Sequence, residues 1–270
     1  MRNLIRICNR LAAAAVLLLA GASSLLATNR IEVIPGVLGG TCGAGNPNVS
    51  RYGGNCGAKV TIDTGASPAA VYVQDNTPSS EGTYRVRFYV NMTGFTLGGP
   101  IDVFAAYDGA DPAAGSPAGT AIIRAVVQGT SPRQLVVVTQ LDSGTQQTTA
   151  VNLADGWRAI EIEWARATSA GANNGLVNLW VDGFPQTGLA SLDNDTRVVN
   201  VVRWGAVSGL SAGSTGAFLM DEFVSQRTGA IGLAPYSGDA RPADFNDDGR
   251  SDVVIYRNGT WIDYPLWPNG

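Results

Sequence analysis

Apolar residues recur at every second position through most of this chain, and that spacing points to strands with one buried face. The clearest strands span Tyr84 to Val90, Ile101 to Ala106, Ile122 to Val127 and Leu135 to Thr139. Further on come Trp157 to Trp164, Leu176 to Val181, Val198 to Trp204 and Ala217 to Val224. Gly, Pro, Asn, Asp and Ser clusters separate them, such as Asp108-Gly109-Ala110-Asp111-Pro112. No stretch keeps a helical period for three turns. Many short strands joined by turns imply a β-sandwich or jelly roll, not a parallel α/β sheet.

The alternation also assigns faces. In Trp157 to Trp164, Ile160, Ile162 and Trp164 share one side, while Glu161 and Glu163 share the other. Two carboxylates on one strand face are an acid/base motif in principle, but as i, i+2 neighbours they read as a solvated face. Trp164, Trp180 and Trp204 each fall in an apolar strand and are expected in the core.

Four segments carry a resemblance. Tyr84-Arg85-Val86-Arg87-Phe88-Tyr89-Val90 is similar to an early strand of laminin-G-like, concanavalin A-like jelly rolls, and Asp155-Gly156-Trp157 leads into a match for their central strand. Leu179-Trp180-Val181-Asp182-Gly183 resembles their hairpin with a Val-Asp-Gly turn. Arg203-Trp204-Gly205 and Phe218-Leu219-Met220-Asp221-Glu222-Phe223 resemble the closing strands. The order fits over roughly residues 58 to 227. The resemblance implies two stacked antiparallel sheets, one concave, with ligands held on the concave face or at a loop-lined rim.

The first residues address the chain for export. Arg2, Arg6 and Arg10 precede the short apolar run Leu11 to Leu19, followed by Ala20-Gly21-Ala22, with Leu25-Leu26-Ala27 as a second cleavage candidate. The run is about half of what spans a bilayer, so residues 1–27 read as a cleaved signal, and no later segment is fit for membrane insertion. An uncleaved N-terminal anchor is the alternative. The destination is extracellular, the cell surface or a periplasm. Cys42 and Cys56 then remain as one pair, expected as a disulfide closing a Gly-rich loop, against two free thiols; such a staple is worth about 3 kcal/mol. Removing the three arginines takes the formal charge from −4 to −7, and Lys59 is the only lysine. An acidic chain without a basic cluster argues against nucleic acid. Asn-x-Ser/Thr sequons stand at Asn48, Asn91, Asn194 and Asn258.

Near the C-terminus stands Asp244-Phe245-Asn246-Asp247-Asp248-Gly249-Arg250-Ser251-Asp252. Calcium takes six to eight hard oxygens, and alternate positions of a tight loop can aim them inward. Asp244, Asn246, Asp248 and Asp252 would supply side-chain oxygens and Arg250 its carbonyl, while Gly249 permits the turn. The spacing resembles the calcium loops of FG-GAP repeats in integrin-type propeller blades, with Asp247 where Gly is common. An acidic turn without metal is the alternative. Asp195 and Asp221 are candidates for a second ion at the sandwich rim. After the loop, Val253 to Tyr256 and Thr260 to Tyr264 flank Asn258-Gly259, a hairpin with a type I′ turn. One hairpin is marginal alone, so it docks on the sandwich or engages another chain, making self-association a candidate role.

Several activities lack their residues. There is no His, which removes Ser-His-Asp catalysis and Cys/His zinc sites. Asp63-Thr64-Gly65 matches an aspartic-protease string, but that chemistry needs two such loops, and with one Asp-Thr-Gly a dimer would be required, which leaves a dimeric protease as the lesser alternative. Some jelly-roll glucanases carry Glu-x-Asp-x-x-Glu, whereas here the strand reads Glu161-Ile162-Glu163-Trp164. Tyr52, Tyr107 and Trp157 lie beside predicted loops and are candidate sugar-stacking aromatics, with covering the core as their competing role.

The expected organisation is a signal (1–27), an N-terminal strand and disulfide loop (28–57), an all-β, two-sheet antiparallel jelly-roll sandwich (58–232), a linker (233–243), and a calcium loop with hairpin (244–270). The expected role is binding of polysaccharide or a surface protein, as a module or adhesive subunit, ahead of any enzyme.

Overall fold

The computed structural model describes residues 29–35, 56–63, 69–109, 118–130, 132–234, 253–257 and 260–264, with only the backbone at 32–35, at Cys56 and in the last two segments. Every regular element among them is a strand: β1 (Arg30–Pro35), β2 (Cys56–Ile62), β3 (Val71–Asp75), β4 (Thr83–Asn91), β5 (Ile101–Tyr107), β6 (Ala121–Gln128), β7 (Arg133–Gln140), β8 (Gln146–Leu153), β9 (Trp157–Ala165), β10 (Gly175–Val181), β11 (Phe184–Leu192), β12 (Val201–Ser208), β13 (Gly216–Gln226), β14 (Val253–Arg257) and β15 (Thr260–Tyr264).

They form two antiparallel sheets stacked as a sandwich. One has seven strands in the order β1-β2-β13-β4-β9-β10-β11, the other six in the order β3-β12-β5-β6-β7-β8. The all-β, two-sheet architecture is thus as the alternation predicts. Its cause is visible strand by strand. In β10 the residues Val177, Leu179 and Val181 are buried and Leu176, Asn178 and Trp180 are not, the period-two signature of a sheet with one face inward.

Between the sheets lies one continuous apolar core. Val86, Phe88, Ile160, Ile162, Trp164, Leu179, Phe218 and Met220 come from the seven-stranded sheet, and Phe104, Ile123, Val127, Leu135 and Val137 from the other. The rings of Phe88 and Phe104 meet at 5.7 Å across the layers. Burying one such side chain is worth about 1.5–3 kcal/mol, so these residues fix the pairing of the sheets. Trp164 is fully buried. Trp204 is half-buried and packs on Phe223 with ring centres 5.4 Å apart.

Two local devices shape the loops of the seven-stranded sheet. Asp182 and Gly183 both have positive φ, 53° and 79°, and make the two-residue type I′ turn that joins β10 to β11; Val181 pairs directly with Phe184. Asn194, in the loop after β11, is fully buried. Its Oδ1 accepts the Ala167 amide at 2.8 Å and its Nδ2 donates to the Ala165 carbonyl, so it ties this loop to the end of β9.

The hairpin predicted near the C-terminus is present. β14 and β15 pair from Val253↔Tyr264 to Arg257↔Thr260, and among the described residues they join neither sheet.

Candidate functional site

The outer face of the seven-stranded sheet carries a dense polar array. Register brings it together: Arg85 stands opposite Glu163 and Arg87 opposite Glu161 across β4 and β9, while Trp180 stands opposite Glu161 and Asn178 opposite Glu163 across β9 and β10. Arg85 donates from Nε to Glu161 Oε1 at 2.5 Å and reaches Glu163 Oε2 at 3.4 Å. Its guanidinium lies 4.4 Å from the centre of the Trp180 ring, a cation–π stack. Asn178 Nδ2 donates to Glu163 Oε2 at 3.0 Å.

After β13 the chain turns back over this face as a strap. The amides of Ile231 and Gly232 each donate to one oxygen of Glu161, both at 3.0 Å. The Ala234 amide donates to the Tyr89 hydroxyl at 3.0 Å. In the other direction, Arg87 Nη1 donates to the Gly232 carbonyl at 3.0 Å, and its Nη2 to the carbonyl and carboxylate of Glu222 at 3.3 and 3.2 Å. This overturns the expectation of a solvated carboxylate face. Glu161 is only 7% exposed, because the strap covers it and Arg85 flanks it. Glu163 keeps about a third of its side chain in water.

Trp180 is a second correction. It does not belong to the core but stands on the outer face, half-buried against Arg85. The residue-by-residue alternation of β10 carries that signal, whereas the general apolarity of the strand hides it. The strap has no apolar periodicity, which is why nothing in the sequence marks it.

Glu222 lies at a bulge in β13, where the register shifts after Asp221, with φ at 52°. Its carboxyl is pushed above the usual carboxylate range by desolvation and by Asp221, with Arg87 opposing. A carboxyl raised on folding stabilises the native state below its unfolded pKa, and that contribution disappears as pH rises through the folded value. Glu222→Gln is therefore expected to flatten the fall in melting temperature as pH rises above 4.5 and to leave the protein no less stable at pH near 7. Thermal scans across that window check it, and a large loss at neutral pH would contradict it.

The other predicted site residues fall as follows. Trp157 opens β9 opposite Asn91 and packs, half-buried, with Tyr89, Ala159 and Ala234 at the end of the strap. Tyr107 is no loop platform: it closes β5, is 9% exposed, and packs with Ala105, Ala118, Val201 and Val207. Arg203 fills the space between it and Tyr72, at 5.3 and 4.4 Å from the two ring centres, and burial pushes the Tyr107 hydroxyl pKa up. Asp63 pairs with Arg30 at 2.9 Å. Tyr52, Cys42 and the calcium-loop residues Asp244, Asn246, Asp248, Arg250 and Asp252 lie outside the described residues, and Cys56 is described only as backbone at the start of β2.

Asp195 and Asp221 are not brought together. Asp221 sits in β13 opposite Tyr89, buried, with Oδ1 accepting the Glu222 amide at 2.8 Å. Asp195 lies in the loop after β11, which Asn194 ties to Ala165 at the end of β9, whereas Asp221 lies level with Tyr89 and Ala159 near the start of that strand. The actual neighbours of Asp195 are Asp142, at the β7–β8 turn, and Asp193, with carboxylate oxygens of all three within 4.8 Å. Desolvation and the nearby Asp142 carboxylate push the Asp195 carboxyl up. Arg197 Nε lies 3.4 Å from Asp142, so part of this charge is already matched. An all-oxygen set of this kind suits a hard cation such as calcium.

No family model matches the chain, and no curated protein matches it. Solved structures with similar architecture include the "Botulinum Neurotoxin Type G Receptor Binding Domain", at a TM-score of 0.44 and 10% identity over 73% of this chain and 42% of that one. The "botulinum neurotoxin serotype D binding domain" gives 0.43 and 8% over 76% and 44%. A serotype D "ligand binding domain in complex with N-Acetylneuraminic acid" gives 0.39 and 9% over 76% and 43%. This chain spans less than half the length of each. Identities and superpositions this low carry no inference about its activity.

Proposed function

We propose that this chain is an exported β-sandwich module that binds carbohydrate on the outer face of its seven-stranded sheet. One observation carries the reading: beside the strap, that face sets a half-buried indole, Trp180, held on one side by Arg85, next to a charged and amide pair, Glu163 and Asn178. A flat aromatic surface next to fixed hydrogen-bonding groups is what a sugar ring needs, with C–H groups stacked and hydroxyls paired. The C-terminal loop Asp244 to Asp252 would hold calcium, since its oxygens repel one another without a cation.

A second reading is an adhesive subunit, favoured by a hairpin that joins neither sheet among the described residues. A glycan array probed with the mature protein separates the two. The expected result is binding that weakens at least tenfold in Trp180→Ala. An array without signal, alongside a protein that sediments as an assembly and falls to monomer when residues 244–270 are removed, favours the adhesive reading. Calorimetric titration with calcium should give one site that disappears in Asp248→Ala. Heat unchanged in that variant removes the loop from the account, and any remaining site would then be sought at Asp142, Asp193 and Asp195.

A further inference from the structure

The strap grips the sheet in an unusual way. Of its residues, Leu233 is 54% exposed and Gly232 contributes no side chain, while Ile231 is only half-buried. Ala234 alone is well covered. Apolar burial therefore does little to hold it. What holds it is main-chain recognition: Glu161 takes two neighbouring amides, Arg87 one carbonyl and Tyr89 one further amide. Gly229 and Gly232, with φ of 81° and 72°, give the segment joints that other residues adopt only with strain.

Beneath it the face is built and charged. Glu161 is buried, oriented by Arg85, and presents both oxygens outward to adjacent donors. Two donors on neighbouring atoms feeding the two oxygens of one carboxylate is also the pattern a vicinal diol offers. Trp180 borders the same carboxylate in register, so the covered groups and the open shelf are continuous.

We propose that residues 229–234 are a detachable occupant of a second, covered carbohydrate subsite, in which Glu161 accepts from two adjacent sugar hydroxyls and Arg87 and Tyr89 hold the next groups. The inference rests on the carbohydrate reading above and extends it: the open shelf at Trp180 binds first, and a longer chain binds tightly only by displacing the strap. A protein with the strap closed then discriminates against short saccharides, because only extended ones repay the loss of the strap contacts.

Two strap variants open the face without touching it. Ile231→Pro removes one donor to Glu161. Gly232→Val forces a β-branched residue into positive φ, where its Cβ meets no neighbour and only backbone strain acts. Affinity electrophoresis in gels containing dextran, mannan or xylan reads binding, and hydrogen exchange reads the strap. In the parent protein the amides of 231, 232 and 234 should be protected. Either variant should raise the exchange of the strap amides it retains (232 and 234 in Ile231→Pro, all three in Gly232→Val), tighten binding of a polysaccharide at least tenfold, and lose that gain when Glu161→Gln is added. Equal binding by parent and variants overturns the covered subsite and leaves the Trp180 reading standing, provided Trp180→Ala still weakens it. Rapid exchange of these amides in the parent also overturns it, and needs no variant to fold. No binding by any form, with the strap shown open, overturns both.

Discussion

Trp164→Ala is expected to destabilise the protein by about 3–5 kcal/mol, among the largest effects of any single replacement. The indole is wholly buried in the core, on the interior strand β9, where Tyr84 of β4 and Val177 of β10 stand beside it in register. Removing it leaves a cavity lined from both layers, which a sandwich held by two sheets cannot collapse around. At a few degrees per kcal/mol for a domain of this size, the melting temperature should drop by roughly 10 °C. Trp164→Phe should behave quite differently. The Nε1 of Trp164 is buried without a hydrogen-bond partner, and an orphaned donor costs about 1–3 kcal/mol. Phenylalanine removes that donor together with some volume, so the two changes oppose each other and the loss should be less than half of that in the alanine variant. Equal losses in the two would show that the indole N–H is paired in solution.

Glu161→Ala should cost a similar amount for an electrostatic reason. The variant leaves Arg85, whose side chain is 12% exposed, without its 2.5 Å partner, and strands the amides of Ile231 and Gly232. Breaking a buried pair from one side typically costs about 3–5 kcal/mol. Glu163 remains 3.4 Å from Arg85, which places the expectation at the lower end. Urea unfolding measures it. The cycle that includes Arg85→Met is more informative: removing both charges should recover much of the loss, because most of it is the penalty of an unpaired guanidinium. Additive losses in the double variant would show that the pair itself, not the orphan, carries the energy. Hydrogen exchange in the single variant should also report a released strap, linking stability here to the covered subsite.

The strands most legible in the sequence are those with neighbours on both sides. β4, β5, β6, β7, β9, β10, β12 and β13 all lie within the sheets, and burial on the inward face imposes the alternation. Three edge strands, β3, β8 and β11, are absent from the set read from periodicity. β8 reads Gln-Gln-Thr-Thr-Ala-Val-Asn-Leu and β11 contains Pro185 and Gly188, the polar and ladder-breaking composition that edges carry against unwanted pairing. β2 escapes the periodicity for another reason: Gly57 and Lys59 dilute its pattern. The site was less legible than the fold. Arg85, Glu161 and Trp180 all fall within predicted strands, but only Glu161 is assigned its outward face from the sequence, while Trp180 is expected in the core. The burial of Glu161, however, depends on a Gly-rich strap whose main chain does the binding, and a main chain has no sequence signature.

The anchoring of Asn194 bears on how this protein can be made. Asn194-Asp195-Thr196 is an acceptor for N-linked glycan, yet in the folded chain both ends of its amide are committed to Ala165 and Ala167. Oligosaccharide transfer in a eukaryotic secretory pathway acts on the chain before that corner closes. A glycan attached there would take the Nδ2 out of its bond and stand in a space with no room for it. Folding and modification therefore compete for one nitrogen, and a host that glycosylates efficiently would divert part of its product into chains unable to dock this loop. Expression in a bacterial periplasm avoids the competition.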